Sequence, residues 1–202
     1  VFSFYEYYTP VQMGNSHTQN WTALQDTNGF LFVGNGGGYL VNNGDFWRAD
    51  HIGETGRGNS FFKSSKGTFY ANGSFDFGVI EPDSLNRVSY GSVSASFYSG
   101  DEYVPYIWEV YEINNKIYNR HNYGVLEYDP SSGLIEDHRI EDNVLWNSFR
   151  SDNDIIVDAS DGLWIFRDSS FKQLVGFDDF KDERFIFSLE LRENKVLLGI
   201  WP

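Results

Sequence analysis

The sequence predicts an all-β protein, a β-propeller of four-stranded antiparallel blades, and three observations carry that prediction. Aromatic residues make up 18% of the chain and glycines number 20. Rings suit a pleated, half-buried surface and glycine supplies the positive φ of tight turns, so the profile favours strands over helices. Turn dipeptides that precede an apolar strand recur about every forty residues, which is the period of a propeller blade. After each of these strands, further turns and short strands follow in a fixed order.

The opening segment "FSFYEYY" has no turn-plus-strand unit before it and reads as a lone outer strand, so residues 1–14 are expected to hold a closing strand, Phe2 to Tyr8. Five turn dipeptides then follow: Asn28-Gly29, Lys66-Gly67, Asn114-Asn115, Asp152-Asn153 and Glu193-Asn194. Each introduces a run that reads as the second strand of a hairpin: "FLFVG", "TFYAN", "KIYNR", "DIIVD" and "KVLLG". A glycine opens each third strand, at Gly38, Gly78, Gly124 and Gly162. Phe30 to Gly38, Lys116 to Gly124 and Asp154 to Gly162 all span eight positions, and the second repeat is expected to need two extra residues.

Fourth strands are read in "FWRADHI", "VSYGSVS", "LIEDHRI" and "FKQLVGF". The resulting units are approximately 15–57, 58–101, 102–140 and 141–182, with an incomplete fifth over 183–202. About four and a half blades are therefore expected, either a small propeller or an arc of a larger one. An open blade edge leads to the further expectation of self-association.

At 202 residues and 41% apolar content the chain can bury a sizeable core. A net charge of −14, spread along the sequence, repels phosphate backbones and argues against direct nucleic-acid binding. There is no cysteine, hence no disulfide and no thiolate metal site. No apolar run approaches the roughly twenty residues of a membrane helix. Neither an initiator Met nor a secretory leader opens the sequence, so a mature or trimmed product is expected.

The stretch "VGNGGGYL" lacks the Gly-Lys-Ser/Thr ending of a phosphate loop and leads into a strand, so it reads as a turn. His17, His51, His121 and His138 show no metal-site spacing, so no metal and no cofactor is expected. No serine sits in a nucleophile elbow. Acid-base hydrolysis needs paired carboxylates, for which Asp26, Glu109, Glu112, Asp152 and Asp154 near the inner strands are the candidates. They define an alternative reading, a small propeller glycoside hydrolase or lyase. Rings on first strands can stack on a sugar, and Trp21, Tyr106, Trp108 and Trp146 are the candidate ligand-binding residues.

The segments "WTALQDTNGFLFVGNGGGYLVNNGDFWR", "FDFGVIEPDS", "YIWEVYEINNKIY", "YGVLEYDP" and "DGLWIF" resemble, in this order, the two-component regulator propeller repeat. That repeat belongs to the sensor region of bacterial receptors, which join a propeller to a triple-tyrosine immunoglobulin-like domain, a membrane helix and a cytoplasmic output module. The sequence departs from the repeat at Asn42-Asn43-Gly44, where an aromatic-Asp-Gly turn is usual. The resemblance implies a propeller of about seven blades and favours the arc. It also implies a non-catalytic periplasmic or extracellular sensor of a small molecule or glycan, tied to the membrane only through other segments.

Overall fold

The computed structural model describes residues 7–14, 16–53, 56–82, 88–98, 105–174, 184–191 and 195–201. Among these residues, regular structure is β apart from one 3-10 turn, Ser94–Ser96. By compactness the chain divides into two units, Val1–Trp108 and Glu109–Pro202.

The first unit holds two four-stranded antiparallel sheets, each in sequence order. One comprises β1 (Asn20–Gln25), β2 (Leu31–Asn35), β3 (Gly38–Asn42) and β4 (Trp47–Asp50). The other comprises β5 (Gly58–Lys63), β6 (Phe69–Gly73), β7 (Phe77–Pro82) and β8 (Val88–Ser92). A third sheet begins at the unit boundary with β9 (Ile107–Ile113) and continues through β10 (Lys116–His121), β11 (Gly124–Asp129) and β12 (Leu134–Arg139). The fourth runs through β13 (Leu145–Ser151), β14 (Asp154–Ala159), β15 (Gly162–Arg167) and β16 (Ser170–Gln173). A two-stranded sheet, β17 (Arg184–Leu191) with β18 (Lys195–Trp201), follows.

Turn chemistry explains the hairpins. Asn114 and Asn115 have φ of 52° and 65°, and Asp168 and Ser169 have 50° and 57°. Two successive positive φ values make the turn whose twist matches antiparallel strands, and Asn and Asp tolerate it best after glycine. The β1–β2 loop is closed by Asp26, whose carboxylate accepts the backbone N–H groups of Asn28 at 2.8 Å and Phe30 at 2.9 Å. The first and last of these turns are the third and first of the dipeptide sites read from the sequence, and Asp168 and Ser169 join β15 to β16. The fifth dipeptide site, Glu193-Asn194, lies outside the described residues, as does most of the expected closing strand; the last residue of that strand, Tyr8, packs edge-on against Trp47 of β4 at 5.3 Å.

Register corrects the second repeat. Asn35 pairs with Gly38, His121 with Gly124 and Ala159 with Gly162, each across a two-residue turn. In the second sheet Ala71 pairs with Gly78 and Asn72 with Phe77, while the amide of Gly73 bonds the carbonyl of Asp76. The counterpart of Gly38 is therefore Asp76, not Gly78, and no insertion is needed. Glycine is required at Gly38 and Gly124 because a Cβ would fall 2.0 Å from the Asp50 carbonyl oxygen and 1.9 Å from that of His138. Asp76 uses its carboxylate instead, accepting the Phe77 amide and the hydroxyls of Ser92 and Ser94.

Each unit has its own core. In the first, Phe32, Tyr39 and Val41 of one sheet meet Phe61, Phe69 and Ile80 of the next. The Phe32 and Phe69 rings lie 4.4 Å apart. In the second, Val125 of β11 meets Leu145, Ile155, Val157 and Phe166. Burying one such side chain stabilises the fold by about 1.5–3 kcal/mol.

A bulge recurs in the first strand of the sheets. Register shifts between Asn20 and Thr22, Gly58 and Ser60, and Leu145 and Asn147. One residue in each strand, Trp21, Asn59 or Trp146, is thereby left without a cross-strand partner and turned out of the ladder.

Candidate functional site

The bulges place two of the four sequence-derived aromatic candidates. Trp21 and Trp146 are both exposed, because a bulge residue escapes the alternation that would bury it. Trp108 is also exposed, one residue into β9. Tyr106, half-buried, stacks on Trp108 at 5.0 Å, and Phe75 meets Tyr106 edge-on at 5.3 Å. The structure thus brings Tyr106 and Trp108 together and adds Phe75, which the sequence reading missed because it lies in the β6–β7 turn. Trp21 joins no ring contact among the described residues. In the second unit the guanidinium of Arg184 lies over the Trp146 ring at 5.5 Å, a cation–π arrangement.

The glycine-rich stretch is occupied by its own chain. Asn35 accepts the amides of His17 at 3.1 Å and Gly37 at 3.0 Å, and its amide donates to the carbonyls of His17 and Gln19. A Cβ on Gly36 would fall 2.4 Å from the His17 ring nitrogen. Gly36 is small to admit His17.

The densest polar chemistry lies in the second unit, in two groups. In the first, Arg120, 2% exposed, donates from Nε to Glu109 at 2.6 Å and pairs with the same carboxylate through a terminal nitrogen. Ser148 donates to that Glu109 oxygen at 2.9 Å and meets the Tyr111 hydroxyl at 2.8 Å. In the second group, Glu127 of β11 takes Lys116 Nζ at 2.5 Å on one oxygen. Its other oxygen meets Ser169 Oγ at 2.7 Å and His138 Nε2 at 3.1 Å. Burial pushes the Glu127 carboxyl up, but Lys116 and Ser169 outweigh it and hold the group below the usual glutamate range.

A cleft of about 550 Å³ opens beside Glu127, walled by Tyr118, Asp152, Asn153, Asp154 and Arg167. At the far end of β10 from Lys116, His121 is fully buried, with Nε2 against Asp137 at 2.8 Å and Nδ1 accepting the Tyr123 amide. The ring is therefore the neutral tautomer protonated on Nε2, and burial holds its pKa down against the pull of Asp137.

The carboxylates proposed for hydrolysis are already engaged in most cases. Asp26 caps a turn, Glu109 is held by Arg120 and Ser148, and Asp154 pairs with Arg167. Asp152 sits at a positive-φ turn position. The histidine spacing suggested no metal ligands, yet strand pairing sets His138 among carboxylates: Glu127, Glu136 and His138 offer ligand atoms within 4.8 Å of one another. No one-dimensional spacing reveals such a set, because its members come from two strands and only their pairing brings Glu127 beside Glu136.

The fold defines the class: a β-propeller segment of four-stranded blades, with exposed rings on the first strands of three of its four sheets. Solved structures agree. The extracellular domain of the BT4673 hybrid two-component system of B. thetaiotaomicron is similar over 90% of this chain at 11% identity, with a TM-score of 0.54. Virginiamycin B lyase from Staphylococcus aureus is similar over 93% at 10% identity, with a TM-score of 0.64. This chain spans 37% of the former and 65% of the latter. No protein-family model matches the sequence, and no curated protein matches it significantly. Among the described residues, no helix is long and apolar enough to cross a membrane.

Proposed function

We propose that this chain is a ligand-sensing propeller module from the extracytoplasmic part of a bacterial signalling receptor, and that it does no chemistry itself. The observation that carries this reading is the repeated presentation of an exposed tryptophan on first strands, Trp21, Trp108 and Trp146, the first and last raised by a bulge. Exposed rings on a rigid strand stack on sugars or other rings at little entropic cost. The likeness to an extracellular two-component domain supports the setting, and the order of the repeat segments supports an arc of a larger propeller that self-associates or pairs with further blades.

The mechanism is a shift of populations. A small molecule or glycan that binds one arrangement of the receptor more tightly than another moves the equilibrium of the output module by its differential affinity. Titrating the chain with a panel of mono- and oligosaccharides, peptides and small acids, read by intrinsic fluorescence and calorimetry, tests this. Saturable binding weakened by Trp108→Ala and by Trp146→Ala is expected. A panel with no binder would leave the module a scaffold.

The likeness to virginiamycin B lyase favours one other reading, a propeller lyase or glycoside hydrolase. Turnover of a glycan or of virginiamycin B, abolished by Glu109→Gln or Asp154→Asn, would establish it.

A further inference from the structure

We propose that Glu127, Glu136 and His138 form a binding site for one divalent transition-metal ion of the zinc class. Glu127 of β11 and Glu136 of β12 are direct cross-strand partners, so their side chains leave the sheet on one face. His138, two residues beyond Glu136, shares that face. Carboxylates set directly opposite one another repel; Lys116 offsets this on the Oε1 side of Glu127, and a cation between the two glutamates would offset it on the other.

Distances fit. Ligand atoms around a tetrahedral zinc, each about 2.0–2.2 Å from the metal, lie about 3.3–3.6 Å from one another. His138 Nε2 is 3.1 Å from Glu127 Oε2 and 3.9 Å from Glu136 Oε2. The first edge is nearly right as it stands. The second closes by a small rotation of Glu136, whose side chain is 52% exposed and free to make it.

The surroundings fix the buried ligand. Glu127, 3% exposed, is pinned by Lys116 on Oε1, and Oε2 takes the Ser169 hydroxyl, which leaves a lone pair of Oε2 directed at the imidazole. Such outer partners orient metal-binding carboxylates. Lys116 also lowers the affinity by its charge, so a site of moderate strength is expected. Two clefts flank the cluster, one of about 450 Å³ lined by His138 and Ser169 and the 550 Å³ cleft beside Glu127. An ion and its fourth ligand, a water, can enter from either side.

The fold does not demand these residues. In the first sheet the same register positions are held by Val41, Arg48 and Asp50, with Arg48 and Asp50 paired at 2.5 Å. A bound ion would tie β11 to β12 and, through Ser169, to the β15–β16 turn. The site is independent of the proposed tryptophan surface.

The experiment uses the whole chain, stripped with chelator and dialysed, then titrated with Zn²⁺, Mn²⁺ and Ca²⁺ by calorimetry and by thermal shift. Saturable binding of one Zn²⁺ with a rise in Tm is expected. Glu136→Gln, at an exposed position, and His138→Ala should each weaken binding at least tenfold, while His51→Ala should leave it unchanged. Absence of saturable Zn²⁺ binding, or binding retained in Glu136→Gln and His138→Ala but lost in His51→Ala, overturns the proposal. Should His138→Ala fail to fold, Glu136→Gln alone decides.

Discussion

The two units solve one packing problem with opposite chemistry. In the first, the layer between sheets near the hairpin tips is Phe32, Val41, Phe69 and Ile80, with a cleft of about 360 Å³ over an apolar floor. In the second, register places Tyr118 where Phe32 stands, Glu127 where Val41 stands, and Phe166 where Ile80 stands. Ser148 likewise replaces Phe61. Strand order and pairing register are the same, so the difference lies in the side chains. An apolar layer stabilises by area removed from water. A polar layer holds only when every buried group has its partner, and it confers chemistry that the apolar one lacks.

The largest effect expected is from Phe32→Ala, which leaves a cavity in the first unit and should cost about 3–5 kcal/mol. Denaturant unfolding monitored by tryptophan fluorescence measures it, and two separate transitions, of which only one moves, would show that the units unfold independently. Glu127→Ala comes next, at about 1–3 kcal/mol, because it leaves the Ser169 and His138 contacts unmade and removes the partner of Lys116, which is itself partly solvated. Exchanging the chemistries sharpens the contrast: Val41→Glu should destabilise by a similar amount, having no counterpart of Lys116, and a neutral outcome would show that the first unit tolerates a polar layer.

A smaller effect concerns acid. His121 is held neutral by burial, so its folded pKa lies below the unfolded value of about 6.5. Its contribution is complete above that value and is lost as pH falls toward the folded pKa, because the unfolded chain binds the proton first. Tm measured between pH 5 and 8 in the presence of chelator should fall on acidification, and less steeply in His121→Asn. The difference between the two proteins separates the histidine from carboxylates that titrate lower. The smallest effect runs the other way. Asn119 is fully buried with neither amide atom bonded, while Val33, Ala71 and Val157 stand at the same register position. Asn119→Val is expected to stabilise the second unit by about 1 kcal/mol, as a rise in its denaturation midpoint.

Most of the fold was legible because it is written locally. A turn dipeptide, an alternating run and a glycine are contiguous in sequence, so four strands per repeat could be counted without knowing any long-range contact. Asp76 was missed because its carboxylate does by hydrogen bonding what glycine does elsewhere by size, and Gly78, two residues further along the strand, offered a decoy. The exposed tryptophans could be proposed from their place on first strands, but the reason for their exposure, a bulge, leaves no mark in composition. Glu127 was hidden more deeply. A glutamate in an alternating strand reads as solvent-facing, and its burial depends on Lys116 two strand positions from its partner and on a serine forty-two residues ahead. His138 escaped for the same reason.

The meander order of the sheets has a kinetic consequence. Every strand pairs with its neighbour in sequence, so loop closure within a blade spans only a few residues and its entropic cost is small. For an all-β protein this is unusual topology, since long-range pairing is what commonly slows such chains. Each blade can zip from its own turns as it leaves the ribosome, without waiting for distant sequence. What remains slow is the annealing of one sheet's face onto the next, and it is there, with strands formed but faces bare, that a chain of this kind is most exposed to aggregation.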